Sequence, residues 1–244
     1  MRILITNDDG HDTPGLVALY NAAREFGDVT LAPPAECHSS KGHAVCTRSV
    51  HQVTKHQHAE MGDVFAVHST PADCVRIAVQ QLMSEPPDLV LAGINPGANL
   101  GVDVYYSGTV AAAREAAIMG LPAIAVSTYM KMGVELCWDD KTELAKQAIK
   151  RLIDRKVQPG QFWNVNFPAV EPGGEAGEFK FTRHSTEPQG VAFEASDEQP
   201  DAYRFTGNYS QRPANQDADV RAIFEGYISA TLLQLDTSAE VPTD

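Results

Sequence analysis

The chain has 244 residues, of which 43% are hydrophobic, so its length and composition fit one large domain with a buried core. Its formal net charge of −13 at pH 7 argues against long nucleic acid as a partner, because such binding depends on basic side chains that neutralise phosphates. No stretch is apolar for long enough to span a membrane, no secretory signal precedes the first strand, and the four cysteines form no C-x-x-C pair. We therefore expect free thiols and a cytoplasmic protein that does not bind membranes.

Short apolar runs alternate with helical patterns along the first two-thirds of the chain. The predicted strands are residues 3–6, 28–31, 64–67, 89–92, 123–126 and 162–166. The predicted helices are residues 15–26, 70–83, 110–119 and 142–154. This alternation predicts an α/β protein whose mostly parallel sheet is covered by helices on both faces.

The pattern changes after Pro168. Residues 179–183 and 202–205 are interpreted as two strands of a hairpin, 217–225 as a short helix and 226–235 as a final strand. No role can be assigned to residues 184–219, and 237–244 are expected to fray. Aromatic residues recur in this segment although it is poor in core residues, which is typical of an arm that packs on another subunit. We expect residues 1–170 to form a catalytic core and residues 171–244 an oligomerisation arm that completes the same domain.

Two adjacent carboxylates follow the first strand, in the segment Asn7-Asp8-Asp9-Gly10. The carboxyl end of a strand is where open α/β sheets place their ligands, and two neighbouring buried carboxylates need a cation to compensate them. A divalent metal held by the pair is the simplest explanation. The alternative is a solvated turn in which Gly10 supplies a positive φ, and the fragment alone leaves both readings open.

Three further polar loops are expected at the same edge of the sheet. The segment from Gly93 to Gly101 follows a strand and offers two asparagines and three glycines, which suits a loop that bends close to a ligand. Ser107-Gly108-Thr109 precedes a helix, where free N–H groups form an anion site suited to phosphate, although plain helix capping would use the same residues. The segment 38–43 adds hydroxyls, Lys41 and His43.

Carboxylates, amides, hydroxyls and an anion-binding helix end together favour metal-assisted phosphoester hydrolysis. No G-x-S-x-G and no G-x-x-x-x-G-K-[ST] occurs, which disfavours a serine hydrolase and a P-loop NTPase.

These motifs resemble the survival protein E (SurE) family of 5′/3′-nucleotidases. The resemblance is carried by Asn7-Asp8-Asp9-Gly10, Ser39 with Gly42-His43, Thr70-Pro71-Ala72-Asp73-Cys74, the Gly93–Gly101 loop, and Tyr106-Ser107-Gly108-Thr109-Val110 with Ala112, Ala113 and Glu115. It extends to Asn164-Val165-Asn166 and to Glu225-Gly226-Tyr227-Ile228-Ser229 in the last third.

The resemblance implies a Rossmann-like three-layer core, phosphomonoesterase activity on nucleoside 5′- and 3′-monophosphates, and a C-terminal arm swapped between the subunits of a homodimer or homotetramer. It also implies one divalent ion per subunit, Mg²⁺ or Mn²⁺. Its ligands map onto Asp8, Asp9, Ser39 and Asn95, and the substrate contacts map onto Asn99, Ser107, Gly108 and Thr109.

The chain departs from the family pattern at two places. His11 and Asp12 stand where an apolar residue usually follows the glycine, and we expect them to affect specificity. Ser40 follows Ser39 directly, so the two hydroxyls compete for the role of metal ligand. We choose Ser39 because it keeps the usual spacing to Gly42-His43.

Two chemical routes fit these residues. A carboxylate activates water for attack, with Asp9 favoured as the base, or a carboxylate attacks and forms an aspartyl phosphate. His43 either protonates the leaving group or supports its own loop. The rival functions are a non-catalytic nucleotide-binding module and a haloacid-dehalogenase-type phosphatase, and adjacent acids argue against the second because that class needs D-x-D.

Overall fold

The computed structural model describes residues 1–188, 190–196, 198–199, 201–207, 209 and 212–239. The strands are β1 (Arg2–Thr6), β2 (Asp28–Leu31), β3 (Val53–His58), β4 (Gly62–Val67), β5 (Leu89–Pro96), β6 (Ala123–Thr128), β7 (Gln161–Phe167), β8 (Phe179–Thr182), β9 (Phe193–Ala195), β10 (Tyr203–Phe205) and β11 (Ile228–Gln234). The helices are α1 (Pro14–Ala23), α2 (Pro71–Ile77), α3 (Gly108–Ile118), α4 (Trp138–Leu152) and α5 (Asp219–Phe224). A π-helical segment (Ala78–Leu82) continues α2, and a 3₁₀ turn (Gly101–Tyr105) precedes α3.

Nine strands form one sheet in the order β3-β4-β2-β1-β5-β6-β7-β11-β8. The neighbours from β4 to β7 are parallel. Strand β3 runs antiparallel to β4, and β11 runs antiparallel to β7. The prediction of a mostly parallel α/β sheet is confirmed. Strand β1 alternates its side chains, so that Ile3 and Ile5 pack on one face and Leu4 on the other.

Helices cover the sheet on both faces. Leu16 and Leu19 of α1 pack with Leu144 and Ile149 of α4 on the Ile3 face. The Leu4 face is covered mainly by α2 and by the alanines of α3, whose small side chains let that helix lie close to the strands. This arrangement gives the expected three layers.

Strand β3 was not predicted, because its sequence VTKHQH is mostly polar and reads as an exposed loop. The structure pairs it antiparallel with β4 at the edge of the sheet. An edge strand with one solvated face tolerates such a sequence, which lacks the apolar run expected of an interior strand.

The predicted pairing of residues 179–183 with 202–205 is wrong. Strand β8 pairs parallel with β11, because Phe179 and Phe181 pack with Trp163 and with two arginines of the α4 region. Strand β10 pairs instead with β9, and this small hairpin is separate from the main sheet. Residues after 170 thus supply two strands of the large sheet and one separate hairpin.

Within the described residues, no helix is both long and apolar enough to cross a bilayer. The parallel neighbours β2, β1, β5 and β6 end at one edge of the sheet, so the segments that follow them meet there.

Candidate active site

A cavity of about 310 Å³ opens at this edge of the sheet. It is lined by Asp8, Asp9, Ser39, Ser40, Asn95, Pro96, Gly97, Ala98, Asn99, Asp103, Tyr106 and Ser107. Six of the eight predicted site residues therefore share one cavity. The other two, Gly108 and Thr109, lie behind its wall.

The segment after β1 is both a turn and part of the cavity. The Asn7 side chain donates to the carbonyl oxygen of Gly10 at 2.8 Å and accepts from the Gly10 N–H at 3.2 Å. Gly10 has φ +126°, a conformation that an L side chain rarely adopts. The two readings of this segment are thus compatible, because the turn is what presents Asp8 and Asp9 to the cavity.

The Asp8 carboxylate lies at the N-terminus of α3. It accepts a short hydrogen bond from the Thr109 hydroxyl and further bonds from the N–H groups of Gly108 and Thr109. Burial nevertheless raises the pKa of the Asp8 carboxyl above its ordinary value, because desolvation outweighs these bonds. A Cβ on Gly108 would lie 2.7 Å from Asp8 Cβ, so glycine is needed for this contact.

The Asp9 carboxylate is less buried than Asp8 but strongly perturbed. Burial, with a smaller effect from the neighbouring Asp8 charge, raises its pKa to about 7. Among the residues that the structure describes, neither carboxylate takes part in a salt bridge. The two acids form a pair that no described basic side chain compensates.

The loop after β2 brings two hydroxyls to the cavity. The His38 N–H donates to the carbonyl oxygen of Asp8 at 2.7 Å, and the Gly42 N–H donates to that of Tyr106 at 2.8 Å, which ties the loop to both sides of the site. Ser39 Oγ lies 3.1 Å from Cys37 Sγ, and Ser40 has a left-handed backbone with φ 60°. Both serines line the cavity, so the choice between them stays open.

Asn95 lies inside a strand rather than in a loop, because β5 continues to Pro96. Its Nδ2 donates to the carbonyl oxygen of Gly97 at 2.6 Å. This bond uses the donor group of the amide and leaves Oδ1 as its acceptor atom for a cation or substrate.

Asn99 is held by residues that sequence reasoning did not assign to the site. The Asn166 amide pairs with the Asn99 backbone through its Oδ1 and Nδ2, at 2.8 and 3.2 Å. Asn164 donates to the same Asn99 carbonyl at 2.8 Å, and Asn99 Nδ2 donates to Ser127 Oγ at 2.7 Å. The i, i+2 spacing of Asn164 and Asn166 in a strand was the available signal, since it places both amides on one face.

The predicted phosphate-binding turn takes a different form in the structure. Ser107 Oγ accepts from the Val110 N–H at 3.0 Å and caps α3, while Ser107 itself lines the cavity. Thr109 is fully buried and directs its hydroxyl at Asp8. The positive end of α3 thus already faces a carboxylate, and among these three residues Ser107 alone reaches the described cavity wall.

His43 does not line the cavity. Its Nε2 lies 2.8 Å from Glu115 Oε2 on α3, and Glu115 is also 3.4 Å from Arg76 of α2. This network links the loop after β2 to both helices on that face, which favours the supporting role over proton donation by His43.

The donor atoms of the cavity fit a hard divalent cation. Within the described residues, no group of three or more His, Cys, Asp or Glu side chains has a metal-binding arrangement. A metal here would need the hydroxyl and amide oxygens of Ser39 and Asn95 beside the two carboxylates. An all-oxygen set is the kind that Mg²⁺ and Mn²⁺ prefer, and the uncompensated carboxylates supply the charge.

Comparison with known proteins accounts for this combination of loops. The family model of survival protein SurE matches residues 3–190. The chain belongs to the SurE family.

Three SurE relatives match almost the whole chain. A 5′-nucleotidase SurE of Geobacter sulfurreducens is 38% identical over 97% of this chain and 88% of its own length. The 5′/3′-nucleotidase SurE of Edwardsiella ictaluri is 36% identical over 98% and 92%, and 5′-nucleotidase SurE 1 of Thermus thermophilus is 37% identical over 98% and 94%. The crystal structure of the SurE protein from Aquifex aeolicus superposes with a TM-score of 0.83 at 29% identity, covering 98% of this chain and 95% of that one. The resemblance inferred from the motifs is confirmed at the level of family and fold.

Proposed function

We propose that this SurE protein is a metal-dependent phosphomonoesterase that hydrolyses nucleoside 5′- and 3′-monophosphates to nucleoside and phosphate. The observation that carries the proposal is the uncompensated pair Asp8 and Asp9 in a polar cavity whose other walls offer hydroxyl and amide groups. The names of the SurE relatives, which are 5′- and 5′/3′-nucleotidases, support the substrate class.

One Mg²⁺ or Mn²⁺ ion per subunit would be held by Asp8, Asp9, Ser39 and Asn95. When bound, the ion would polarise the phosphoryl group and offset charge that develops in the transition state. The hydrogen bonds from α3 fix the orientation of Asp8, and the Asn95–Gly97 bond fixes that of Asn95. Two ligands are therefore pre-positioned by contacts that do not involve the ion.

Asp9 is the residue best suited to accept a proton. Its carboxylate lines the cavity and is less buried than that of Asp8, so a water molecule can reach it. In the favoured route the Asp9 carboxylate takes a proton from water as the water oxygen bonds to phosphorus, the bond between phosphorus and the ester oxygen breaks, and the leaving oxygen takes a proton from the Asp9 carboxyl or from solvent water. Attack by a carboxylate to form an aspartyl phosphate remains the alternative route.

Ser107 and Asn99 are the proposed substrate contacts in the same cavity. Ser107 lines the cavity beside the first turn of α3, and Asn99 is oriented by Asn166 and Ser127. Gly108 and Thr109 contribute by holding Asp8, since their donor groups point to that carboxylate.

The chain is further proposed to form a homodimer or homotetramer through the arm of residues 171–244. The β9–β10 hairpin exposes Phe193, Tyr203 and Phe205 by 60%, 71% and 54%. Such a concentration of exposed aromatic surface on a hairpin separate from the main sheet is typical of a contact with another subunit.

The test is product analysis with 5′-AMP and 3′-AMP as substrates. With Mn²⁺ or Mg²⁺ we expect adenosine and phosphate in equal amounts, no reaction in chelator, and recovery when metal is restored. A non-catalytic binding module would bind AMP and release neither product, and that outcome would refute the proposed activity.

A further inference from the structure

Two residues from the last quarter of the chain contact the loop between Asn95 and Ser107, which we call the active-site loop. Arg212 forms an ion pair with Asp103, and the side chains of the two are 5% and 14% exposed. The Tyr209 hydroxyl lies 2.8 Å from the same Asp103 oxygen and 3.1 Å from the carbonyl oxygen of Ala98. These contacts join positions more than 100 residues apart in sequence.

The contact also reaches the backbone of the loop between Asn95 and Ser107 at Leu100. Asp103 Oδ2 accepts from the Leu100 N–H at 3.2 Å, and Arg212 donates to the Leu100 carbonyl oxygen at 3.2 Å. The Arg212 guanidinium also lies 4.7 Å from the centre of the Tyr209 ring. Burial and the charge of Asp103 raise the pKa of Tyr209, which keeps its hydroxyl protonated and able to donate.

Asp103 matters to the site because it lines the same cavity as Asp8 and Asp9. A third free carboxylate would repel a phosphate dianion from a cavity that already holds two acids. Arg212 is the basic side chain that pairs with Asp103 among the described residues, and it does so away from bulk water, where screening is weak.

We propose that Arg212, supported by Tyr209, is a positioning residue for phosphate-ester binding: it neutralises the Asp103 carboxylate, which would otherwise repel the substrate, so that the C-terminal segment completes the substrate site. The inference rests on the proposed function. Arg212 does not line the cavity and acts through Asp103.

The test compares the full-length chain with Arg212→Met, Asp103→Asn and the double variant, using 5′-AMP hydrolysis in saturating Mn²⁺. Arg212→Met should raise KM about tenfold with a smaller change in kcat, because the unpaired Asp103 carboxylate repels substrate. The increase should shrink as ionic strength rises. The double variant should return KM to within about threefold of wild type, because the repelling charge is gone.

A matched control removes another arginine from the same part of the chain. Arg204 pairs with Glu198 at 3.0 Å on the exposed hairpin, and Arg204→Met should leave KM unchanged. Thermal unfolding and Mn²⁺ titration of each variant report folding and metal binding separately from activity. If Arg212→Met does not fold, Asp103→Asn decides alone: a lower KM supports the inference, because the unpaired Arg212 charge then attracts the phosphate, and an unchanged or raised KM overturns it.

An Arg212→Met variant that folds with a wild-type KM would overturn the inference, as would a raised KM that Asp103→Asn does not rescue. Both results leave the proposed function standing. A wild-type chain that releases no phosphate from AMP would instead remove the proposed function itself.

Discussion

The raised pKa of Asp9 makes the stability of the metal-free protein depend on pH. Its pKa is about 7 in the folded chain, against roughly 3.9 for an exposed aspartate in an unfolded one. Between these values the folded chain keeps a proton that the unfolded chain releases. Stability therefore falls as pH rises through this window, and the protonated form is the one favoured by folding.

In chelator, the unfolding temperature should drop between about pH 4 and pH 7, and Asp9→Asn should reduce that dependence. At pH 7.5 we expect Asp9→Asn without metal to be at least as stable as wild type. Saturating Mn²⁺ should stabilise wild type more than the variant, because binding to the folded state adds to its stability. Equal pH slopes for the two proteins in thermal scans would contradict this account of Asp9.

The residues proposed to bind the metal could be predicted from the sequence. A residue that only positions another side chain, such as Arg212, could not. Asp8 and Asp9 follow the first strand directly, so a parallel sheet was enough to place them at a ligand-binding edge. Arg212 could not be linked to Asp103 by any local pattern, because the two residues are 109 positions apart in sequence and meet only in the folded chain.

At the level of elements, α3 meets β1 through a carboxylate placed at the helix N-terminus. The N–H groups of Gly108 and Thr109 stabilise the Asp8 carboxylate, which is itself aimed at the cavity. The sequence predicted an anion site at this turn. It could not show that the Asp8 carboxylate lies at this helix N-terminus.

Gly108→Ala tests the contact between these two elements. A Cβ at this position would lie 2.8 Å from Asp8 Oδ2, so the carboxylate or the helix must move, at a cost of about 1–3 kcal/mol. We expect Mn²⁺ affinity and turnover to fall by about tenfold or more, although alanine favours helix over glycine. Gly190→Ala is the control, because a Cβ there meets nothing within 4 Å. Unchanged metal affinity in Gly108→Ala by calorimetry would argue against this role.

The sequence pattern was least informative for strand β3 and for the β9–β10 hairpin. Both have sequences without a long apolar run, and both lie outside the buried centre of the sheet, where periodicity is weakest. The interior strands β1, β5 and β6 were predicted within a few residues because they are buried on both faces.

For the whole molecule, the C-terminal third has two roles that the sequence alone did not separate. Strands β8 and β11 extend the core sheet, and Tyr209, Arg212 and Asp219 contact the active-site loop. The hairpin between β8 and β11 carries Phe193, Tyr203 and Phe205, each of which is more than half exposed.

The proposed assembly can be tested on that hairpin. Replacing Tyr203 and Phe205 by serine should shift the mass measured by light scattering toward a smaller species, since the contact loses most of its apolar area. Met132→Ser is the control, because Met132 is 99% exposed and lies in a different part of the chain. A wild-type chain that is already monomeric, or an unchanged mass in the double variant, would count against assembly through the hairpin.

The most direct test of the central claim is the rate of phosphate release from 5′-AMP in saturating Mn²⁺ by Asp8→Asn and Asp9→Asn, measured beside Asp12→Asn. The metal would stabilise the transition state by several kcal/mol, so the rate of phosphate release should fall about a thousandfold in Asp8→Asn and in Asp9→Asn. Circular dichroism should show that both variants remain folded. The sequence predicted an effect of Asp12 on specificity, but its side chain is 79% exposed and does not line the cavity, so Asp12→Asn should change this rate by less than about twofold. A folded Asp8→Asn or Asp9→Asn variant that releases phosphate at the wild-type rate would contradict the account.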